Sequence, residues 1–163
     1  MRSATRAAAA LLCLTLATAH GHAYLAHVEP GDDGVLAAAP DVLALHFTMA
    51  VEPRFSRFEV HRLDVDADAL PDDPPAPTER ERQRLNALAA RLAEQLLERD
   101  RDEDHPDRVD DGTITLSDGD TVVTVDLNDD LPSGVYVLVW EVLAVDAHWT
   151  SGHRLLLITG PVD

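Results

Sequence analysis

The stretch VYVLVWEVLAV, residues 135–145, is apolar at every position except Glu141. Such continuous apolarity marks a central strand. Its neighbours in the chain read the same way. LPSG (131–134) is the turn that introduces it, and HRLLLIT (153–159) closes the chain as another strand. Upstream, TITL (113–116) and TVVTVDL (121–127) flank SDGD (117–120), a hairpin-type turn. Nearer the start, AYLAHVEP (23–30) is extended and stops at Pro30, and GDDG (31–34) is a turn. DVLALHFTM (41–49) puts Leu43, Leu45 and Phe47 on one face, and SRFEVHRL (56–63) does so with Phe58 and Val60. Seven short strands punctuated by turns predict an all-β sandwich or small barrel.

Residues 65 to 112 interrupt that pattern and read as an insertion between two strands. It opens within a loop rich in proline and acid, DVDADALPDDPPAP (64–77), and ends in an acidic return, RDEDHPDRVDDG (101–112). Between them TERERQRLNALAARLAEQLLERD (78–100) is helical. Thr78 and Glu81 have capping-box spacing, and Leu85, Leu88, Leu92 and Leu96 form one stripe. The stripe is expected to pack on the sheet. The acids fit no calcium-loop template and read as solvated.

The first 21 residues read as a secretory signal peptide. Arg2 and Arg6 precede an apolar run from Ala7 to Leu16, too short for a membrane span, and small residues follow. Residues 22–163 are then one exported β domain. Cys13, the only cysteine, lies in the leader, so any metal site of the mature chain uses nitrogen and oxygen ligands. Net charge is −17, and removing two arginines and no acid takes it to −19. That excludes nucleic acid and anionic membrane surfaces as partners and is compatible with cations.

Eight histidines are present. His46 and His61 fall opposite the apolar faces of their strands and are expected to be solvated. His105 lies in the acidic return. Others cluster at the new N-terminus and near the turn after residue 145. Two cuts satisfy the peptidase preference for small residues, after Ala19 or after Gly21. Either makes a histidine the first residue, and its α-amine and ring nitrogen then reach one ion together. Asp146 and His148, two apart on an extended segment, point the same way. Amine and imidazole of the terminal histidine, with the Asp146 carboxylate and the His148 imidazole, are four donors that suit one Cu(II). Cutting after Ala19 leaves His20-Gly21-His22, a terminal tripeptide that can wrap Cu(II) without any fold.

Both ends of the mature chain resemble the CopC copper-binding family. At the start, HAYLAHVEPGDDGVLAAAPDVLALHFTMAVEPRFSRFEV (22–60) carries His22, Leu25 and Pro30 in the family's register, the apolar strand ending in Phe47, and VEPRFS. At the other end, GVYVLVWEVLAVDAHWTSGH (134–153) matches at Gly134, Tyr136, Trp140, Val145, Asp146, His148 and Gly152. The resemblance implies a Greek-key, immunoglobulin-like sandwich or barrel in the periplasm, with His22, Asp146 and His148 as Cu(II) ligands. Its implied role is copper homeostasis or resistance, with hand-over to an inner-membrane copper importer as one course. Three departures stand out. Met49 is the only methionine outside the leader, so no methionine-rich Cu(I) site is expected. Met49 also stands where several relatives have a glutamate; Glu52 and Glu141 are the candidate substitutes, though both read rather as surface acids. The helical insertion has no counterpart in short members of the family.

Two other functions compete with this non-enzymatic one. A terminal histidine with a second histidine on copper is also the brace of copper monooxygenases, but a carboxylate beside it stabilises Cu(II) over the reduced state such chemistry needs. The alternative is a structural β-sandwich with incidental histidines. His27 and His153 are lesser ligand candidates, and Trp140 and Trp149 read as core and site-rim packing.

Overall fold

The computed structural model describes residues 22–65, 77–100 and 105–159. The leader expected at 1–21 and much of the two acidic loops lie outside the described residues.

Two four-stranded sheets face each other. The first holds β1 (Leu25–Glu29), β3 (Val42–Phe47), β6 (Val122–Leu127) and β5 (Asp110–Ser117), in that order. The second holds β2 (Val35–Leu36), β8 (Trp149–Ile158), β7 (Gly134–Leu143) and β4 (Arg57–Arg62). All pairings are antiparallel except β2 with β8, which is parallel. The expected all-β sandwich is what forms. Among the described residues β2 is an eighth strand that the sequence reading missed: two residues hold too little alternation to register.

The inner core follows the alternation read from the sequence. Leu43, Leu45 and Phe47 from β3 meet Phe58 and Val60 from β4, with Val123 and Val125 behind them. The strand that decides the fold, β7, is apolar throughout because it is covered twice. Tyr136, Leu138 and Val142 enter the core between the sheets. Val135, Val137 and Val139 point the other way, into a second cluster beneath α1 (Glu79–Glu98). The chain is therefore three layers deep at this point: sheet, sheet, helix.

The helix begins as expected. Thr78 Oγ1 accepts from the Glu81 N–H, and the Glu81 carboxylate accepts from the Thr78 N–H at 2.7 Å. Its buried face differs from the predicted leucine stripe. Leu85, Ala89, Ala93 and Leu96 are buried, and Leu88 is exposed. Alanines at the contact let the helix axis lie close to the flat valine face of β7, and a stripe of leucines alone would hold it off.

That second layer also corrects the reading of His61. Expected to be solvated, it is fully buried. The face of β4 opposite Phe58 and Val60 is covered by the chain returning from α1, where Arg62 N–H donates to Asp107 O and Val109 N–H donates to Val60 O. Arg57, Glu59 and Asp110 are buried beside His61, and Arg108 forks onto Asp110. His61 Nε2 lies 2.9 Å from Glu59 Oε2.

Candidate metal centre

One pole of the sandwich brings together the start of β1 and the turn joining β7 to β8. Asp146 and His148, expected on an extended segment, lie instead on a turn closed by its own backbone: Ala147 N–H donates to Ala144 O, and Ala144 N–H donates to His148 O. Ala147 at its tip has φ +65°, a left-handed conformation unfavourable for alanine by roughly 1–2 kcal/mol. Asp146 holds the bend by accepting the His148 N–H on Oδ1 at 3.1 Å, an Asx-type turn. Such local strain is retained where the surrounding structure fixes it.

The incoming chain is pinned to this turn through two threonines. Thr150 Oγ1, at the start of β8, donates to Ala23 O at 2.6 Å. Thr48 Oγ1, just past β3, donates to His22 O and accepts from the Tyr24 N–H, each at 3.0 Å. Ala23 is completely buried, so His22 has little freedom to move away.

The structure brings His22, Asp146 and His148 into one group whose ligand-capable atoms all lie within 4.8 Å of one another. The His22 and His148 rings are 4.6 Å apart at 54°. His148 Nδ1 lies 3.2 Å from Asp146 Oδ2. Among the described residues, two atoms of the group, His22 Nδ1 and Asp146 Oδ2, are buried and have no assigned hydrogen bond, the latter facing the His148 ring. Buried polar atoms without a hydrogen bond are costly and uncommon, and a cation between these two would satisfy both. Burial works to raise the Asp146 pKa, but the His148 N–H and ring and the His22 ring together outweigh it and hold the carboxyl below its ordinary value. The acid is thus an anion at neutral pH, ready to ligate. Two imidazoles and a carboxylate suit a borderline divalent ion and offer nothing soft.

The other candidates lie elsewhere. Neither Glu52 nor Glu141 joins this group. Met49, in the position where a glutamate was sought, is half-buried against the inner core. His153 sits on β8 in a recess with Arg82 and Asn86 of the helix, and burial lowers its pKa. Trp140 packs against the core, and its ring lies over Gly152 on β8, where any Cβ would come within 2.4 Å of it. Trp149 and Tyr24, on the segments that carry the group, are half-exposed. His27 and His46 are neither solvated singly nor part of the pole: they form a pair on the outer face of the first sheet.

The CopC domain family matches residues 92–155, a span that holds Asp146 and His148 but not His22. Three solved structures share the fold. CopC from Methylosinus trichosporium OB3b aligns at TM-score 0.54 and 18% identity, over 87% of this chain and 98% of that one. PcoC, a methionine-rich copper resistance protein from Escherichia coli, aligns at 0.54 and 14%, over 85% and 100%. Its selenomethionine form aligns at 0.53 and 14%, over 83% and 99%. No curated protein sequence matches. The resemblance read from residues 134–153 recurs in the family match, and the fold is that of these solved structures.

Proposed function

We propose that this chain is an exported copper-binding protein of the CopC type, holding one Cu(II) tightly between His22, Asp146 and His148 in copper homeostasis or resistance. One observation carries the reading. Three side chains from opposite ends of the sequence converge, and the unpartnered atoms among them are His22 Nδ1 and Asp146 Oδ2.

The identity of the free ring nitrogen matters. Nδ1 is the nitrogen closer to the backbone, so it closes a small chelate ring with the residue's own amine once that amine is released. Cleavage after Gly21 releases it. The donor set becomes an amine, two imidazoles and a carboxylate, and nitrogen-rich tetragonal sets favour Cu(II) among divalent ions. Asp146 lowers the ion's net charge and favours the cupric state, which suits storage and transfer over oxygen chemistry. No helix among the described residues is long and apolar enough to cross a membrane. Passing the ion to an inner-membrane importer is the hand-over consistent with this reading, and the periplasm is the matching compartment.

The test is Cu(II) titration of the exported protein, with its first residue set by mass spectrometry. We expect His22 at the terminus and one tight equivalent with a nitrogen-rich tetragonal paramagnetic resonance spectrum. His148→Ala should weaken that equivalent by about 100-fold or more, since altering even the groups that support metal ligands costs about 10–100-fold. Unchanged affinity in His148→Ala would remove the assignment. A terminus at His20, with tight binding that survives unfolding, would transfer it to the local tripeptide.

A further inference from the structure

A second group of metal-capable side chains lies on the outer face of the first sheet. His27 on β1 and His46 on β3 are direct cross-strand partners. Glu29, two residues beyond His27, shares that face. The two imidazoles stack at 4.0 Å and 14°, a nearly parallel arrangement. Each presents Nε2 to a different oxygen of the Glu29 carboxylate, His27 at 3.6 Å and His46 at 3.7 Å. His46 Nε2 is buried and has no hydrogen-bond partner among the described residues.

These separations are too long for hydrogen bonds. They are close to what a shared ion requires. Ligands bonded at about 2.0–2.1 Å around a tetrahedral ion stand roughly 3.3 Å apart. The ligand atoms of His27, Glu29 and His46 already fall within 4.8 Å of one another. Glu29 and His27 are accessible, with 66% and 40% of their side chains exposed, so closing the set takes small rotations of side chains on a fixed strand pair. The strand ladder supplies the preorganisation: direct cross-strand partners are held about 5 Å apart at Cβ.

We propose that His27, Glu29 and His46 form a second divalent metal site, with three protein ligands and a fourth position open to water. The donor set, His2Glu with an open coordination position, suits Zn(II). It does not use the chain terminus and does not depend on the copper assignment at the pole. The first site chelates with an amine and favours tetragonal Cu(II). This one has no amine and no fourth protein ligand among the described residues, so it discriminates less and binds more weakly.

Zn(II) titration followed by long-range 1H–15N NMR of the imidazoles resolves the two sites, because each ring reports separately. In the exported protein and in His148→Ala, the His27 and His46 ring nitrogens should shift together and saturably. Glu29→Gln, an exposed change that leaves the fold intact, should weaken that response at least tenfold, as should His46→Gln with an unaltered backbone spectrum. The proposal is overturned if neither ring shifts, if only one does, if Glu29→Gln binds as tightly as wild type, or if the response disappears in His148→Ala.

Discussion

Two histidine–carboxylate assemblies in this molecule are built from the same residue types and differ in nearly everything else. At the pole, Asp146 and His148 lie on a hairpin turn, and half of the His148 side chain is exposed. Beneath the return from α1, Glu59 and His61 lie on a central stretch of β4, are buried, and contact each other at 2.9 Å with Arg57 and Arg108 alongside. The second assembly has its charges balanced from within by two guanidiniums. At the first, the side chains that hold Asp146 ionised are the imidazoles of His148 and His22. Histidine beside carboxylate is thus not a signature of metal binding. What differs between the two is the counter-charge: guanidiniums act on Glu59, and imidazoles alone among side chains lower the Asp146 pKa.

Exchanging charge for an amide at each assembly separates them most sharply. Asp146→Asn should weaken Cu(II) by about 100-fold, whereas Glu59→Gln should leave it within a factor of about two; competition titration against a chelator of known affinity reads both. Equal losses would mean that the buried cluster supports the pole and that the comparison fails.

Stability should show the reverse. Glu59→Gln removes the carboxylate that His61 and Arg57 face, Arg108 keeping Asp110, and should cost about 2–3 kcal/mol in denaturant unfolding, against less than about 0.5 for Asp146→Asn. The pH dependence follows from the same group. Burial raises the Glu59 pKa, but the His61 hydrogen bond and the charges of His61, Arg57 and Arg108 outweigh it, so its net shift is downward from 4.5. A carboxyl with a depressed folded-state pKa stabilises fully above its unfolded value and loses that contribution as pH falls through the folded one. The wild type should therefore lose stability below about pH 4.5, more steeply than Glu59→Gln does.

The smallest effect tests the layer that buries the second assembly. Thr78→Ala removes the oxygen that caps α1 and should cost about 1 kcal/mol. Amide exchange should quicken on α1 and leave the hairpin turn at residues 144–148 unchanged. A quickened turn would tie the insertion to the pole.

Much of this was legible beforehand. Alternation at Leu43, Leu45 and Phe47 and at Phe58 and Val60 placed the core, because period-two burial is a local property of an extended chain. The capping box at Thr78 and Glu81 was equally local. His61 was misread because period-two logic names the face opposite the core without saying what lies on it. Here a helix and a return loop do. The leucine stripe was misread at Leu88 for a related reason: helical spacing allows several faces, and the shape of the valine surface on β7 selected the one carrying Ala89 and Ala93.

The sequence by itself determined the element types, the doubled apolarity of β7, and the donors available: from residue 22 on it has no cysteine and one methionine, so nitrogen and oxygen ligands predominate. Tertiary structure alone decided which donors meet. His22 and Asp146 are separated by almost the whole domain in sequence, and His27 meets His46 only through the register of β1 on β3. Pattern fixes where a side chain points relative to its own backbone. Which other side chain it faces depends on how strands from distant parts of the chain align, and that is set by packing of the whole core.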